Sequence, residues 1–377
     1  MSKRVLMVAT VPSMLGQFNM NNIKMLQDMG YVVDVAGDFT DTSVWPAERV
    51  QKFKDQLKGM EIEAIQLDFS RSPLKIGRHI ASYKETLKLI ENRKYAFIHT
   101  HTPIASAIVR QAAHKTGTKV IYTAHGFHFY DGAPLKNWLF FYLIEKYYSK
   151  YTDVLITINK EDYKRASEKF HAKKTVYIPG VGVDTEKFAP RQSGREKIRR
   201  ELNLPDDRIL LLSVGELNEN KNHISVIKAL ADLQDITYVV VGKGEKESEL
   251  KQLAKDAAVD LRLPGFRTDV ADFYDAADIY ILPSIREGLN VSLMEAMASG
   301  LPCLAGNIRG NVDLVDEGKG GYLFSPEDAC KIRNAVQKMI NTTPEKRTEQ
   351  GRHNLEKIRL FDISTVEGIT AYIYWGV

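Results

Sequence analysis

Two carboxylates with a short, regular spacing are candidates for binding a ligand. Glu287 and Glu295 have seven residues between them, in a segment predicted to pass from a strand end through a loop into a helix beginning near Val291. The first carboxylate then lies in the loop, and the second lies along the helix, where it can reach a ribose. Gly288 allows close approach of the backbone, and the free N–H groups at a helix start suit a diphosphate. On spacing alone, an ordinary loop with two solvated glutamates remains the alternative.

Histidines provide a second set of candidates. His125 directly follows a predicted strand, at the edge of the sheet where ligands bind. A neutral imidazole is expected there near pH 7, where it could orient a bound group and support developing charge. We expect His99 and His101, at the end of the preceding strand, to point to opposite faces, one towards an acceptor substrate and the other into the structure. His128 is a weaker candidate.

Several common cofactor motifs are missing. The stretch Gly242-Lys243-Gly244 lacks the third glycine of a dinucleotide fingerprint because Glu247 stands in its place. The residues after Val214-Gly215 lack the second glycine and the Lys-Ser/Thr ending of a nucleoside-triphosphate loop. No two aspartates stand two positions apart, which removes the usual carboxylate pair that holds Mg²⁺ or Mn²⁺ on a diphosphate. We therefore expect no metal and no cofactor, with a diphosphate neutralised by basic side chains and helix N-termini.

The elements that must position these residues form two similar series. Short aliphatic, β-branched runs alternate with amphipathic helical stretches, which predicts parallel sheets buried on both faces. The fold class is therefore α/β, with two Rossmann-like doubly wound domains facing across a cleft. We expect domains at 1–184 and 185–362, with a C-terminal helix at about 363–377 packing back on the first. The predicted strands are Arg4–Thr10, Tyr31–Gly37, Glu63–Phe69, Ala96–Thr102, Lys119–Gly126, Asp153–Asn159, Arg208–Gly215, Ile236–Gly242, Ile279–Ser284 and Pro302–Asn307.

Bulk composition limits the remaining classes of function. The 377 residues include 52 basic and 48 acidic side chains, and a net charge of +4 is too small to indicate a nucleic-acid partner. There are only two cysteines, and the N-terminal residues lack the apolar stretch of a signal peptide. The sequence has no run of about 18 uncharged apolar residues, so we expect no membrane-spanning helix. We expect a cytoplasmic protein.

The segment 282–306 is similar to the E-x7-E region of glycosyltransferase family 4, the retaining enzymes of the GT-B fold. Other stretches match along nearly the whole chain, and the resemblance is closest to the bacterial capsule and exopolysaccharide branch. The matching stretches are Val214-Gly215-Glu216-Leu217 with Lys221, Val240–Gly244, Leu263–Phe266, Tyr122–Gly126 and Pro179–Phe188.

The resemblance implies a role for each matching residue. Glu287 would contact hydroxyls of the donor sugar, Glu295 would bind the ribose, and Lys221 would bind the diphosphate. His125 corresponds to the active-site histidine, so His125 and Glu287 are the expected catalytic residues. The turn Gly265-Phe266-Arg267 would frame the base. The expected donor-binding residues are Gly16, Lys221, Gly265, Phe266, Arg267, Gly288, Leu289, Asn290 and Glu295.

The sequence departs from the family pattern at two places in this site. Glu216 stands where the family often has an arginine beside the diphosphate, so either Glu216 points away or another cation supplies the charge. The candidates for that cation are Arg267, Arg286 and Arg309. The N-terminal loop has one glycine, Gly16, where the family often has two. Gly16 either brings backbone N–H groups to the phosphates or is only a turn residue before a helix.

These observations predict a retaining transferase that moves a hexose or N-acetylhexosamine from a UDP-sugar to a glycan acceptor, in surface polysaccharide synthesis. The family is thought to use front-face attack within a short-lived ion pair, so the protein positions the reactants and stabilises the leaving diphosphate. A sugar-nucleotide epimerase or phosphorylase with the same fold, and a non-catalytic nucleotide-sugar-binding protein, are the alternatives.

A basic segment suggests where a lipid-linked acceptor could approach. Residues 71–94 carry seven basic and two acidic side chains. Ser72-Pro73 should begin a helix whose core face is formed by residues recurring at helical spacing: Ile76, Ile80, Tyr83, Leu87 and Ile90. The basic face is either simply solvated or docks on an anionic membrane leaflet. The aromatic stretch Trp138–Tyr142 is expected to form a buried helix.

Overall fold

The structure is a computed structural model that describes residues 3–377. Its contacts divide the chain into two compact units, residues 3–178 together with 366–377, and residues 179–365. The boundaries expected from the sequence, after residues 184 and 362, stay predictions of where independent domains end. Among the described residues, no helix is both long enough and apolar enough to cross a bilayer.

A parallel sheet of seven strands forms the centre of the first unit. The strands are β1 (Arg4–Val8), β2 (Val32–Gly37), β3 (Glu63–Gln66), β4 (Phe97–His101), β5 (Lys119–Ala124), β6 (Val154–Thr157) and β7 (Lys174–Tyr177). They lie side by side in the order β3-β2-β1-β4-β5-β6-β7. Val5 of β1 pairs with Val33 on one side and Phe97 on the other. All three residues are buried, as strands covered on both faces require.

Helices cover both faces of this sheet. They are α1 (Pro12–Phe18), α2 (Met20–Asp28), α3 (Ala47–Gly59), α4 (Ile76–Arg93), α5 (Pro103–Thr116), α6 (Leu135–Asn137), the π-helix Trp138–Tyr142, α7 (Leu143–Ser149) and α8 (Lys160–Lys169). The last helix of the chain, α17 (Ile363–Gly376), also contributes to this core, because Tyr374 is buried and its ring stacks on that of Phe97 with the centroids 5.7 Å apart.

The second unit repeats the plan with six parallel strands. They are β8 (Ile209–Val214), β9 (Ile236–Val241), β10 (Asp260–Gly265), β11 (Ile279–Leu282), β12 (Cys303–Gly306) and β13 (Gly321–Phe324), in the spatial order β10-β9-β8-β11-β12-β13. The helices are α9 (Gln192–Glu201), α10 (His223–Leu230), α11 (Glu247–Asp256), α12 (Val270–Ala276), α13 (Val291–Ala298), α14 (Asn311–Leu314), α15 (Ala329–Ile340), α16 (Pro344–Ile358) and the 3-10 turn Arg359–Phe361. The predicted fold class, two doubly wound α/β units, is confirmed.

The strand order reverses once in each sheet, and the candidate residues lie near these reversals. In the first sheet β1 lies between β2 and β4, and in the second β8 lies between β9 and β11. Loops leaving neighbouring strands at such a point diverge to opposite faces and leave a crevice at the carboxyl ends of the strands. The loops after β8 and β11 carry Lys221 and Glu287, while His125 directly follows β5.

The predicted core face of α4 was partly wrong. The helix begins at Ile76 rather than at Pro73, and Ile76 and Ile80 are 66% and 52% exposed. Ile90 is buried and Tyr83 and Leu87 pack against the core, as predicted. Ser82 is also buried, and its hydroxyl donates to the carbonyl of Asp68 at 2.6 Å. The helix therefore presents aliphatic side chains to solvent beside its lysines.

The prediction of a buried aromatic helix at Trp138–Tyr142 was also wrong. This π-helical turn has no fully buried residue, and Leu139 and Phe140 are 71% and 41% exposed. Trp138, Phe141 and Tyr142 pack against a buried aromatic cluster, so only one side of the turn faces the core. Apolar side chains all around the turn do not ensure burial when only one neighbouring surface is available.

Candidate functional site

In the second unit, Lys221 and Glu287 form an ion pair between two loops. The Lys221 ammonium donates to Glu287 Oε1 at 2.7 Å, and the two side chains are only 18% and 14% exposed. The sequence predicted both residues as ligand-binding, one for a diphosphate and one for sugar hydroxyls. The structure brings the two together, so each charge is held in place by the other.

Backbone contacts between the same loops fix this pair. The Ile285 N–H donates to the carbonyl of Asn220 at 2.9 Å, and the Asn220 amide donates to the carbonyl of Arg286 at 3.0 Å. The side chain of Asn222, whose backbone is left-handed with φ of 54°, donates to the carbonyl of Pro283 at 3.2 Å. These bonds flank Lys221 on both sides and hold its loop against the one that carries Glu287.

Helix α13 begins as predicted, directly after the loop of Glu287. Asn290 caps it by accepting from the Leu293 N–H at 3.0 Å. Leu289 is buried at 8% exposure, so the side chains of Asn290 and Leu289 serve the local structure. Glu295, one turn into the helix, accepts from the Tyr274 hydroxyl at 2.8 Å. Burial raises the pKa of Glu295, and the Tyr274 hydrogen bond opposes that shift.

The predicted cations differ in their surroundings. Arg309 is 8% exposed, and its guanidinium donates to the backbone carbonyl of Glu287 at 3.4 Å. Gly310 allows this loop to pass close by, because a β-carbon there would lie 2.0 Å from the Gly288 carbonyl oxygen. Arg286 is exposed. Arg309 is therefore held against the backbone of the loop that carries Glu287.

Arg267 is occupied by carboxylates. Its guanidinium donates to Asp269 at 2.8 Å and to Glu201 at 2.7 Å, and the hydrogen bonds from Arg267 keep the pKa of Asp269 well below its usual range. Phe266, the residue before it, is 68% exposed after Gly265, whose φ is +77°. In this turn, Phe266 is thus the residue whose ring is open to a flat ligand.

Glu216, which stands in place of the family's arginine, is exposed and accepts from the Asn218 amide at 2.8 Å. In the same loop, the side-chain oxygen of Asn218 accepts from the backbone N–H of Lys221 at 3.0 Å. Asn218 therefore links Glu216 to the backbone of the loop that carries Lys221.

The first unit has a cavity of about 460 Å³ beyond the ends of its central strands. Its lining is largely apolar and aromatic, with few groups that carry charge. Lining residues include Met14, Phe18, Arg71, His125, His128 and Phe141. The rings of His128 and Phe141 stack with their centroids 4.5 Å apart. Such a pocket suits a ligand with apolar faces and a small number of polar contacts.

His125 lies at this cavity with its imidazole neutral. Burial lowers the pKa of His125 to about 4, and its Nε2 lies 3.0 Å from Nδ1 of His101. The sequence therefore predicted correctly that His125 lies at the carboxyl end of a strand, while its ligand and its chemical role stay predictions.

His99 and His101 do not take opposite faces, and that prediction was wrong. Their rings lie side by side, with centroids 4.2 Å apart, because residues two positions apart in a strand share a face. Both are 1% exposed, and neither lines the cavity. His99 Nδ1 contacts the Tyr374 hydroxyl and its Nε2 the Thr123 hydroxyl, each at 2.8 Å. Burial lowers the pKa of His99 to about 3, so His99 is neutral too.

The expected loop at Gly16 is a helix. Gly16 lies inside α1, beyond the first helical turn, so its N–H is not one of the free groups at the helix start. A β-carbon at Gly16 would lie 2.4 Å from the ring of Trp45, and the glycine therefore makes room for this buried tryptophan. Neither of the two expected roles, a phosphate cradle or a turn residue, describes it.

Sequence reasoning missed Thr102, which also lines the cavity. This β-branched residue has φ of 69°, a strained conformation that is rare outside glycine. Its hydroxyl accepts from the Thr10 N–H at 3.0 Å and contacts the Thr10 hydroxyl at 2.7 Å, which ties the loops after β1 and β4 together. No pattern in the sequence indicates an unusual backbone angle at a threonine.

Within residues 3–377, no three side chains of the metal-binding types come together in a group that could hold a metal ion. The expectation of activity without a metal or cofactor stays a prediction.

Sequence profiles of known families cover most of both units. The family described as Glycosyltransferase Family 4 matches residues 16–187, and the one described as Glycosyl transferases group 1 matches residues 194–356. EpsD of Bacillus subtilis (strain 168), whose name describes it as a glycosyltransferase, is 33% identical over 97% of this chain and 95% of its own length. This chain belongs to the family 4 glycosyltransferases. It is accordingly a transferase enzyme, as the sequence predicted.

This family 4 glycosyltransferase is also similar to an Escherichia coli enzyme named UDP-Gal:alpha-D-GlcNAc-diphosphoundecaprenol alpha-1,3-galactosyltransferase. The two are 31% identical over 67% of this chain and 68% of that enzyme. Among solved structures, HepE of Anabaena in complex with UDP superposes with a TM-score of 0.79, covering 99% of this chain and all of HepE at 18% identity. A complex of HepE with UDP-glucose gives a TM-score of 0.77. These likenesses support the GT-B fold.

Proposed function

We propose that this enzyme transfers a hexose or N-acetylhexosamine from a UDP-sugar to a lipid-linked glycan acceptor in surface polysaccharide synthesis, with retention of anomeric configuration and without a metal. The observation that carries the proposal is the paired Lys221 and Glu287 beside the start of α13, where a cation, a carboxylate and helix N–H groups meet. Together these groups match a diphosphate that bears a polyol.

The names of similar proteins support the choice of substrates. The HepE structures contain UDP or UDP-glucose, and the Escherichia coli relative is named for a UDP-galactose donor and a diphosphoundecaprenol-linked acceptor. A further relative, from Erwinia amylovora, is named as an amylovoran biosynthesis glycosyltransferase and is 31% identical over 41% of this chain.

Each donor group has a proposed partner. Lys221 and Arg309 bind the diphosphate, and Arg309 supplies the charge that the family often places at the position of Glu216. As the donor enters, Glu287 separates from Lys221 and binds hydroxyls of the sugar. Glu295 accepts a hydrogen bond from the ribose. Phe266 packs on the base. An exchange of partners keeps both charges satisfied, because the pair opens only when phosphate and hydroxyl groups replace it.

The proposed reaction breaks the bond from the sugar C1 to the diphosphate oxygen and forms a bond from C1 to the acceptor oxygen on the same face. The acceptor proton passes to the departing phosphate oxygen, so no protein base is consumed. Lys221, Arg309 and the N–H groups at the start of α13 stabilise the charge that develops on the diphosphate. Assignment of the product anomer by NMR tests retention, and an inverted linkage would contradict it.

Residues 71–94 support a membrane surface as the source of the acceptor. Leu74, Ile76 and Ile80 are exposed and lie among the lysines of this segment. Arg78 pairs with Asp38 at 2.9 Å and Arg93 with Glu63 at 2.7 Å, so these two are neutralised within the protein. The lysines at 75, 84 and 88 are exposed and supply the proposed contact with an anionic leaflet, at about 1 kcal/mol each.

Vesicle binding tests this surface. Changing Lys75, Lys84 and Lys88 together to glutamate should abolish co-sedimentation with vesicles that contain anionic lipid, at low salt. The matched control changes three exposed lysines of the second unit, Lys228, Lys255 and Lys331, to glutamate and should bind as before apart from a small long-range effect. Equal loss in both variants, or no binding by the unchanged protein, would contradict the membrane proposal and leave the transfer reaction intact.

A panel of nucleotide sugars tests the donor. A donor at 100 times its Kd should raise the unfolding free energy by about 2.7 kcal/mol, which is measurable as a shift in Tm. UDP-sugars should give the shift, and GDP- or ADP-sugars should not. The UDP-sugar that stabilises most is then used with a lipid-diphosphate-linked sugar to look for transfer. Stabilisation by GDP-sugars alone would overturn the assignment of the donor.

A further inference from the structure

The contact between His101 and His125 constrains the proton on both rings. Burial lowers the pKa of each, so both imidazoles are neutral near pH 7. A neutral imidazole has one N–H and one bare nitrogen. Because His101 Nδ1 and His125 Nε2 lie 3.0 Å apart, one of these two nitrogens must carry a proton and the other must accept it.

Met7 decides which nitrogen donates. The other ring nitrogen of His101, Nε2, lies 3.2 Å from the sulfur of Met7. A thioether sulfur has no proton to give and can only accept, so a bare nitrogen at this distance would place two lone pairs against each other. His101 therefore carries its proton on Nε2. Its Nδ1 is then bare and accepts a hydrogen bond from Nε2–H of His125.

We propose that Met7 and His101 are positioning residues that hold His125 protonated on Nε2, so that its bare Nδ1 accepts a hydrogen bond from a substrate hydroxyl in the cavity. Nδ1 of His125 has no hydrogen-bond partner within residues 3–377 and is not among their buried unpaired atoms, while the ring lines the cavity. This inference rests on the proposed function, because the hydroxyl belongs to the sugar or the acceptor.

The arrangement selects between ligand groups. A bare nitrogen attracts a hydroxyl proton and repels a phosphate oxygen, so the cavity side of His125 favours a sugar over a diphosphate. His99 reinforces the geometry without choosing the tautomer, because its partners are the hydroxyls of Tyr374 and Thr123, which donate or accept equally well. Its ring lies against that of His101 and limits the movement of that ring.

Nitrogen NMR of the unchanged protein tests the tautomer directly. With ¹⁵N-labelled histidine, long-range couplings from the ring protons distinguish a protonated nitrogen from a bare one. His125 should show a proton on Nε2, and its signals are assigned by their loss in a His125→Ala variant. A proton on Nδ1 of His125 would overturn the proposal. These spectra decide the tautomer whether or not sugar transfer is detected, so failure of the inference is distinguishable from failure of the proposed function.

A methionine substitution tests the origin of the preference. Met7→Leu removes the sulfur at nearly constant volume and should give a mixture of both tautomers at His125. Met25→Leu is the matched control, because Met25 packs against the same core but, among the described residues, makes no hydrogen bond to either histidine, and it should leave the spectrum unchanged. An unchanged His125 tautomer in Met7→Leu would show that the sulfur does not set it.

Kinetics separate positioning from packing. His101→Asn retains an amide oxygen near the place of Nδ1, whereas His101→Leu removes the acceptor. We expect the leucine variant to lose about 10-fold to 100-fold in kcat with unchanged affinity for UDP, and the asparagine variant to recover most of that loss. Equal kcat in the two variants, at equal Tm, would contradict a role through the proton of His125.

Discussion

The candidate groups of the two units use opposite electrostatic designs. In the second unit the functional side chains are charged, and Lys221 and Glu287 neutralise each other at 2.7 Å. In the first unit burial keeps the histidines neutral, and their contacts are hydrogen bonds between uncharged groups. Charged groups that exchange partners suit a diphosphate, whereas neutral groups with fixed protons suit sugar hydroxyls. The two units therefore offer a ligand two different kinds of chemistry.

Removing the carboxylate at position 287 should have the largest effect. Glu287→Gln should lower kcat/KM about 10²-fold to 10³-fold, since it removes a charge that acts on the sugar as the bond breaks. Affinity for free UDP should stay the same or rise, because Lys221 no longer has to leave a partner. Calorimetry with UDP and steady-state kinetics measure the two effects. Glu216→Gln, the matched control, should change neither by more than about twofold. A loss of UDP affinity in Glu287→Gln would contradict the exchange of partners.

The neutral side of the comparison is tested at His125. His125→Ala should lower kcat about 100-fold while the Kd of the donor changes little, because the imidazole acts during the reaction more than in binding. His114→Ala replaces an exposed histidine of the same unit and should be silent. Single-turnover kinetics and donor titration make the measurement. Unchanged turnover would assign His125 a structural role.

Removing single cations should weaken UDP binding. Lys221→Ala and Arg309→Ala should each raise the Kd of UDP about 10-fold to 100-fold, the range for a lost hydrogen bond to a charged group. Arg286→Ala is the matched change in an exposed arginine and should have less than about threefold effect. Titration calorimetry at constant salt compares the three variants. A larger effect at Arg286 than at Arg309 would reverse the assignment of the second cation.

Glu295 should affect nucleotide and nucleotide sugar alike. Glu295→Ala should raise the Kd of UDP and of the UDP-sugar by the same factor, about 10-fold, since a ribose partner is lost in both. Tyr274→Phe removes the hydrogen bond that orients Glu295 and should give a smaller loss of the same kind. Different losses for UDP and UDP-sugar in Glu295→Ala would show that the carboxylate contacts the sugar.

The smallest expected effect is that of a chelator. We expect unchanged transfer rates in excess EDTA, because Lys221, Arg309 and helix N–H groups are proposed to carry the charge of the diphosphate. The assay compares EDTA-treated protein with the same protein after addition of Mn²⁺ or Mg²⁺. Strict dependence on either ion would replace the cation-based donor site with a metal-based one.

Local spacing in the sequence predicted correctly the loop that carries Glu287 and the helix that carries Glu295. The loop of Glu287, the cap at Asn290 and the helix with Glu295 are contiguous, so their geometry follows from neighbouring residues. The pairing of Glu287 with Lys221 joins loops 66 residues apart, and no local pattern indicates it. The protons of the histidine cluster depend in the same way on Met7, which lies in another strand.

Helix faces and sheet edges were harder to predict. In α4 the end of the predicted apolar series, including Ile90, faces the core, but Ile76 and Ile80 are exposed. Ser82 and Thr86 are buried instead. Small side chains allow the close contact of α4 with α5, and hydrophobicity alone does not show that preference. The strands β7, β10 and β13 were missed because each lies at a sheet edge and has partly exposed residues in place of a continuous apolar run.

The position of Tyr374 has a consequence for synthesis of the protein. Residues 366–377 complete the core around Phe97 and His99, yet they are made after the whole of residues 179–365. At about 5–20 residues per second, a ribosome needs roughly 10–40 s to cover that interval. During this time the first unit is without the helix that covers Phe97 and the hydroxyl that contacts His99. The nascent first unit therefore exposes an apolar strip until translation has passed residue 374, and a chaperone that binds such strips has its opportunity in that interval.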